Sequence, residues 1–597
     1  MKLRARVKRD VTYLRNAVRT LSWVRPIKGA SKNLACDDLE AAVDKWPSRR
    51  AITFEGKTLT YAEFDQLANR YANWAKAQGL RRGQTVAVFL CNRLEYIPLW
   101  YGLTKVGVVA ALINNNLTGA QLAHCVNIAE ASHCVVDDET AAAFEAVRGQ
   151  FKRPVREWTL GTVHTGQQDL PKALRSASPL RPDRATARAD MTAKDVALYI
   201  FTSGTTGLPK AAKMTHMRVQ LYMRGFAGST GAVQSDRIYI TLPLYHATGG
   251  LCAVGAALLT GASIVLRKKF SAGQFWPDIV EENCTMFVYI GELCRYLVNQ
   301  PEHPLERKHK LRAAFGNGLR PDVWEEMQPR FAIPHILEFY GATEGNVSMF
   351  NWDGKPGAIG RVPKWLAWRF NMRLVKFDVE KEEPVRGPDG LCRPCKPGET
   401  GECLGEIGTD VRSAFVGYAD KAATEKKVLR NVFKKGDAWF RTGDLMRQDE
   451  DGYFYFVDRI GDTFRWKGEN VSTSEVAERL AHVPGVQEVN VYGVPVGKLD
   501  GKAGMASLVV DETFAIEQLA EYVDRELPVY ARPLFVRLQP QIETTGTFKY
   551  RKMDLVQDGF DPAKVKDPIW FRNPDKKAYT RVTKAAYEKI AAGGYKL

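Results

Sequence analysis

Residues 199–210 read YIFTSGTTGLPK. An apolar run, Val196 to Phe201, breaks off into hydroxyls and glycines and ends in a lysine. The apolar half reads as a buried strand. The polar half has the composition of a turn that brings backbone N–H groups against phosphate. Gly204 and Gly207 let the backbone approach closely, Ser203, Thr205 and Thr206 add donors, and Lys210 supplies a point charge. The order differs from the common P-loop, where lysine precedes serine or threonine; here Lys210 follows Pro209 and precedes Ala211. The alternative, an ordinary turn, leaves the conjunction of strand, loop and lysine unexplained.

Working outward, short apolar runs alternate with helical patterns from Lys45 onward. TLTYAEFDQLANRYANWAKAQG begins with a hydroxyl cap and carries Leu67, Tyr71 and Trp74 at helical spacing. TVAVFLCN follows as a buried strand, then a helical segment ending in KVGVVAALIN. Such alternation predicts an α/β fold in which helices cover parallel sheets. The polar stretch from about Thr159 to Ala193 reads as a surface connection. After about Arg361 the glycine- and proline-punctuated texture predicts a β-rich subdomain. A break at Phe456–Ser472 precedes a compact α+β pattern. The expected organisation is a basic N-terminal segment 1–44, a large domain 45–457 with its β-rich part from about 361, a hinge 458–462 and a small domain 463–597.

With 597 residues, 45% apolar and 26% charged, the chain has ample material for a core and is not a disordered composition. Eighty-five lysines and arginines against 68 acids give a net charge of +17, which favours anionic partners. No zinc-finger spacing or RNA-binding signature accompanies that charge, so no nucleic-acid partner is expected. The ten cysteines lack a disulfide framework, and Cys392 and Cys395 lack the second ligand pair of a zinc site. Reduced thiols on the cytoplasmic side suit this pattern. No secretory leader is expected, and Leu251–Leu266 reads as helix, turn and strand rather than a membrane span.

The first thirty residues hold nine basic residues and one acid, Asp10. Leu3, Val7, Val11, Leu14, Val18 and Leu21 recur at three- and four-residue steps, a single apolar stripe on a helix. Arg4, Arg6, Lys8, Arg15 and Arg19 fall mostly off it. A helix of this kind can lie peripherally on an anionic membrane surface. A helix packed on its own domain, or a targeting arm, is the alternative.

Seven stretches in order now carry a resemblance. YIFTSGTTGLPK, LPLYHATGG (242–250), FGNGLRP (315–321), FYGATEGN (339–346), WFRTGDL (439–445), DRIGDTFRWKGENVSTSEV (458–476) and TTGTFKYRKMDL (544–555) resemble the adenylate-forming superfamily of acyl-CoA synthetases, luciferases and peptide-synthetase adenylation domains. FVYIGELCRYLVNQP (287–301) and RIGDTFRWKGENVSTSEV resemble its very-long-chain acyl-CoA synthetase and fatty acid transport protein branch. The resemblance implies a large adenylate-forming domain with a small mobile C-terminal domain. It also implies ATP-dependent activation of a long-chain or very-long-chain fatty acid to its coenzyme A thioester through an acyl-adenylate.

Residue by residue, the resemblance implies that Thr202, Ser203, Gly204, Thr205, Thr206, Gly207 and Lys210 hold the ATP phosphates. It implies that Glu344, with Thr202 assisting, holds Mg2+, and that Thr343 contacts phosphate. Gly316, Asn317, Gly318, Tyr340 and Gly341 would flank adenine, Asp444 and Arg459 would meet ribose or phosphate, and Arg465 would line the path of coenzyme A. His246 would sit near the substrate carboxylate, and Lys549 would be the catalytic lysine, set apart from Arg551 and Lys552 only by register. Gly461 would serve the hinge between half-reactions. Other readings are a membrane fatty acid transporter with secondary ligase activity and a ligase for another carboxylic acid.

Overall fold

The structure, a computed structural model, describes residues 2–202, 208–379, 381–467, 469–497, 499, 501–543 and 552–595. Two parallel-rich sheets make its body. One has eight strands in the spatial order 348–351, 335–341, 313–317, 286–290, 237–240, 263–266, 50–54 and 57–60. Its two edge strands are antiparallel and the interior is parallel. The other orders 168–169, 156–159, 131–136, 85–89, 109–112, 196–202 and 210–215, again with an antiparallel last strand. Strands such as Thr85–Phe89 and Val109–Leu112 are buried along their whole length, as parallel strands covered on both faces must be.

Helices between the sheets explain the coverage. Thr60 caps the Tyr61–Ala77 helix by accepting from the Glu63 N–H, and Glu63 answers to the Thr60 N–H. That helix packs against Tyr96–Thr104 so closely that a Cβ on Gly102 would lie 2.2 Å from the Ala68 carbonyl oxygen. Leu251–Leu266 takes in the end of a π-helical turn Thr248–Ala253, a helix Val254–Leu258, a turn at Gly261 and a strand Ser263–Leu266.

A third, antiparallel sheet gathers Gly360–Arg361, Tyr453–Arg459, Ala438–Gln448, Thr400–Glu406, Met372–Asp378 and Glu383–Pro384, with Val428–Arg430 paired to Ala438–Gln448. Beyond it, the hairpin Phe464–Trp466/Glu469–Val471 leads into a five-stranded sheet starting with Val486–Val494 and Ala503–Val510. That sheet and its helices bury their own apolar core.

The segment from Thr159 to Ala193 lies largely on the surface, as a connection should, but carries local structure of its own. It contains the strand Gln168–Asp169 and helices Leu170–Ser176 and Arg184–Ala187. Buried Arg188 binds Asp37 at 2.9 Å and Glu40 at 3.0 Å, and Arg181 reaches Asp65 at 2.8 Å. Lys105, fully buried, donates to Asp65 at 2.6 Å. Charge pairing across the chain, which no local period encodes, ties this segment to the body.

The N-terminal helix, Lys2–Val24, forms as its periodicity predicts but docks by the opposite face. Tyr13, Thr20 and Val24 are buried, while Val7, Val11, Leu14, Val18 and Leu21 face outward. Polar contacts hold it: Arg9 to Asp451 at 3.1 Å, Asp10 to Arg361, and Arg19 Nη2 to the Ser229 carbonyl at 3.0 Å. Tyr13 meets Trp352 edge-on at 5.1 Å between centroids. At the crossing with helix His216–Thr230, a Cβ on Gly228 would stand 2.7 Å from Thr20 Cα. Gly228→Val should therefore prise the two helices apart, lower stability by about 1–3 kcal/mol in thermal unfolding, and expose the N-terminal helix to limited proteolysis. Unchanged cleavage kinetics would show that the crossing tolerates the added bulk.

Candidate active site

Thr202 closes the Val196–Thr202 strand, and the chain returns antiparallel as Lys210–Thr215 with Lys210 opposite Thr202. The connecting residues Ser203, Gly204, Thr205, Thr206 and Gly207 lie outside the described residues. The return strand is stitched to residues 417–419: the Lys213 N–H donates to the Gly417 carbonyl at 3.1 Å and the Ala419 N–H to the Ala211 carbonyl at 2.9 Å. These bonds position Tyr418. Its hydroxyl donates to Glu344 Oε1 at 2.7 Å, the Thr202 side chain lies beside the same hydroxyl, and Lys210 Nζ stands 5.6 Å from the ring centroid. Burial, then the nearby Glu344 charge, pushes the phenol's pKa upward, so it keeps its proton and donates.

Glu344 and Thr343 belong to an irregular turn between strands His335–Gly341 and Ser348–Asn351. Arg218 grips that turn. Its guanidinium, on a side chain from a residue only 5% exposed, donates to the Thr343 carbonyl at 2.9 and 2.6 Å, to Ala342 at 3.2 Å and to the Gly345 carbonyl. Tyr222, one helical turn on, donates to the Ala342 carbonyl at 2.9 Å. Carbonyls that no strand or helix satisfies are thereby paired. The helix carrying Arg218 and Tyr222 starts at Thr215, the last residue of the return strand, whose hydroxyl accepts from the Arg218 N–H.

On the other flank, Asp444 and Arg459 face each other across strands Ala438–Gln448 and Tyr453–Arg459, with Arg459 Nε 3.9 Å from Asp444 Oδ1. The Tyr340 hydroxyl donates to Asp444 Oδ2. Tyr340 thus orients the carboxylate expected at ribose, a role that a reading of its flat face alone does not suggest. Gly316, Asn317 and Gly318 end strand Ala313–Asn317, with Gly318 at φ +80°. A Cβ on Gly316 would strike the Tyr289 carbonyl oxygen at 2.1 Å, so only glycine fits. Behind this turn, buried Glu338 accepts from the Leu319 N–H at 3.1 Å and the Tyr289 hydroxyl at 2.6 Å. Burial pushes the Glu338 carboxyl up to about 8.

The remaining expected site residues are His246, Arg465 and Lys549. His246 accepts from the Gly250 N–H through its carbonyl at 2.7 Å, where the π-helical turn begins, and its ring lies 4.5 Å from that of Tyr245. That turn packs on the Arg218 helix. Arg465 lies on the Phe464–Trp466 strand of the C-terminal part. Lys549 lies outside the described residues. Its neighbour Lys552 donates to Asp462 at 3.1 Å and to Thr473 at 2.8 Å, while the Thr473 N–H donates to Asp458 at 2.6 Å. Lys552 is therefore engaged at the expected hinge.

The residues present suit the groups implied. A carboxylate and a hydroxyl, Glu344 and Thr202, are hard oxygen donors of the kind Mg2+ prefers. Among the described residues no group of three His, Cys, Asp or Glu could hold a metal, so an ion here would depend on phosphate oxygens for its remaining ligands. At the glycine turn the Asn317 Oδ1 is buried without a hydrogen-bond partner. An orphan acceptor there fits the exocyclic amine of a purine.

Tyr418, Arg218, Tyr222 and Glu338 escape a reading of the sequence. Tyr418 sits in FVGYAD, which has no periodic signal. Arg218 leaves a trace: a cation in the first helical turn opposes the helix dipole and so calls for another partner.

Known proteins place the chain in a family and a fold. The sequence profile described as "AMP-binding enzyme" matches residues 39–407, and "AMP-binding enzyme C-terminal domain" matches 475–549. The chain is 42% identical over 560 residues to long-chain fatty acid transport protein 6 of Mus musculus, covering 93% of this chain and 90% of that protein. It is 42% identical to long-chain fatty acid transport protein 2 of Rattus norvegicus over 552 residues, covering 92% and 88%. In fold it is similar to ATP-bound MatB from Rhodopseudomonas palustris (TM-score 0.73, 24% identity, 87% and 98% covered). It is likewise similar to the Mycobacterium tuberculosis fatty acyl CoA synthetase (TM-score 0.62, 24% identity, 89% and 99% covered).

Tyr418→Phe deletes one hydroxyl and leaves the ring. Pyrophosphate exchange should show the half-saturating magnesium–ATP concentration raised about tenfold, the worth of one hydrogen bond to a charged group; an unchanged value would remove Tyr418 from the site. For Glu338, the folded chain holds a proton that the unfolded chain releases above the ordinary carboxyl value of 4.5. That contribution is full below 4.5 and is lost as pH rises through about 8. Denaturant unfolding across that window should accordingly show a shallower decline for Glu338→Gln than for the wild type.

Proposed function

We propose, from the premise that this chain belongs to the AMP-binding enzyme family, that it activates long-chain or very-long-chain fatty acids to acyl-CoA at the expense of ATP. In the first half-reaction the fatty carboxylate attacks the α-phosphorus, giving acyl-adenylate and pyrophosphate. In the second the coenzyme A thiol attacks the activated carbonyl and releases AMP. The observation that carries this reading is the meeting of Thr202, Lys210 and Glu344 around the Tyr418 hydroxyl and ring. A glycine- and hydroxyl-rich loop springs from the same hairpin.

The chemistry asks for charge stabilisation, because an anion must approach a polyanion. Lys210 and the loop N–H groups would supply it, Lys549 would sit between carboxylate and α-phosphate, and Mg2+ held by Glu344 would screen phosphate charge. Asp444 and Arg459 would hold ribose, and the turn at Gly316–Gly318 with Asn317 would hold adenine. We read 458–462 as the hinge, with the part from 463 rotating to exchange Lys549 for the Arg465 loop when coenzyme A enters. The acid partitions into bilayers, so we place the enzyme peripherally on the cytoplasmic side of a membrane. The names of its relatives favour a second reading, fatty acid transport with ligation secondary. No helix among the described residues is long and apolar enough to cross a membrane, and trapping of the acid as its thioester needs no such helix.

Purified protein given palmitate, ATP, magnesium and coenzyme A should accumulate AMP and palmitoyl-CoA together. Lys549→Ala should slow adenylation by about 10²-fold or more yet spare thioester formation from supplied acyl-adenylate, and Glu344→Ala should suppress both ATP-dependent products. Uptake of fatty acid by cells expressing these variants, undiminished while thioester formation is abolished, would make transport the primary activity.

A further inference from the structure

An amphipathic helix on a soluble protein turns its apolar stripe inward. The N-terminal helix does the reverse. Val7, Val11, Leu14, Val18 and Leu21 are 54, 59, 49, 57 and 44% exposed, because ion pairs and Tyr13 hold the other face to the body of the protein. A second apolar element lies beside it. The 3₁₀ turn Lys364–Arg369 presents Trp365 and Trp368, 50% and 69% exposed. The turn is pinned next to the helix from both sides. Arg361, three residues before it, pairs with Asp10, and the Val362 N–H donates to the carbonyl of Gly452, neighbour of the Asp451 that binds Arg9. Seven of the fifteen large apolar side chains exposed among the described residues belong to these two elements. The other eight are scattered along the chain.

We propose that the outward stripe of the N-terminal helix and the Trp365–Trp368 turn form one docking surface for an anionic lipid bilayer. The charge of the surroundings selects this occupant. Arg6, Lys8, Arg15, Arg25 and Lys28 are exposed on or just beyond the helix, and its one acid, Asp10, is already paired. Lys364 and Arg369 bracket the turn, with the Arg369 guanidinium 4.4 Å from the Trp368 ring centroid. A second copy of this chain would bring the same cations face to face. Lipid phosphates would neutralise them, at about 1 kcal/mol for each cation near the surface, while indoles settle at the headgroup level and the aliphatic stripe enters the acyl boundary. Because ion pairs fix the helix to the body, docking would also fix the orientation of the whole molecule. The surface deepens the peripheral location and rests on the reading of the substrate as a membrane-partitioning acid.

Deleting the helix would strip Tyr13 and Val24 from buried positions, so point substitutions of exposed residues are the cleaner probe. The full chain, without nucleotide, is sedimented with phosphatidylcholine vesicles with and without about a third phosphatidylglycerol. The wild type should bind the anionic vesicles in a salt-sensitive way and the neutral ones weakly. Val11→Asp/Val18→Asp and Trp365→Ala/Trp368→Ala should each weaken that binding at least about tenfold, and Val11→Ser/Val18→Ser should weaken it less than the aspartates. Thermal unfolding and ligation of a short, water-soluble acid should match the wild type. Binding unaffected by either pair would overturn the proposal, as would loss confined to one element, or a self-associated species that the same substitutions dissolve. Vesicle binding without any ligase activity would sink the proposed function and leave the docking surface standing.

Discussion

A single buried guanidinium holds the candidate active site in shape. Arg218 satisfies the carbonyls of Ala342, Thr343 and Gly345, the backbone of a turn that no ladder or helix stabilises. Glu344 projects from that turn, and its carboxylate meets the Tyr418 hydroxyl. The Arg218 helix in turn is capped by Thr215 at the end of the strand that begins with Lys210. The Lys210–Thr215 strand, the helix, the turn and Tyr418 are consequently linked into one hydrogen-bonded unit that holds Lys210 and Glu344 in place. Such sharing suits a site whose work is electrostatic, because oriented charges stabilise a transition state only when they need no rearrangement.

Around that unit the fold divides its labour. Parallel strands deliver loop ends at Thr202, Asn317 and Gly341, the usual place for ligands in sheets of this kind. The antiparallel third sheet contributes Asp444 and Arg459 on adjacent strands, and Tyr340 ties the two sheets together by its bond to Asp444. Among the described residues, polar contacts join the C-terminal part to the body. Arg295 donates to the Gln487 carbonyl at 2.6 Å, and Lys552, Asp462, Thr473 and Asp458 are linked at the junction. Contacts of this kind can exchange without breaking an apolar core.

Much of this was legible in the chain itself. The hydroxyl-capped helix after Thr60, the all-buried strands and the strand–loop–lysine arrangement follow from composition and period, since local geometry demands those residue types at those positions. The helical period at the N-terminus is equally local and equally reliable. Its orientation is not: the docking face of that helix was chosen by Arg361, Asp451, Trp352 and Gly228, residues more than two hundred positions away. The pairing of Arg181 and Arg188 has the same origin.

By itself, then, the sequence determined the secondary elements, the family and the expected chemistry, because short-range periods and ordered motifs are written in consecutive residues. Only the tertiary structure decided that Tyr418 sits beside both Thr202 and Glu344, that Arg218 braces the Glu344 turn, that Glu338 sits buried behind the glycine turn, and that the apolar stripe faces outward. Each of these is a pairing between distant segments, set by which charge or hydroxyl finds its partner once the sheets have packed.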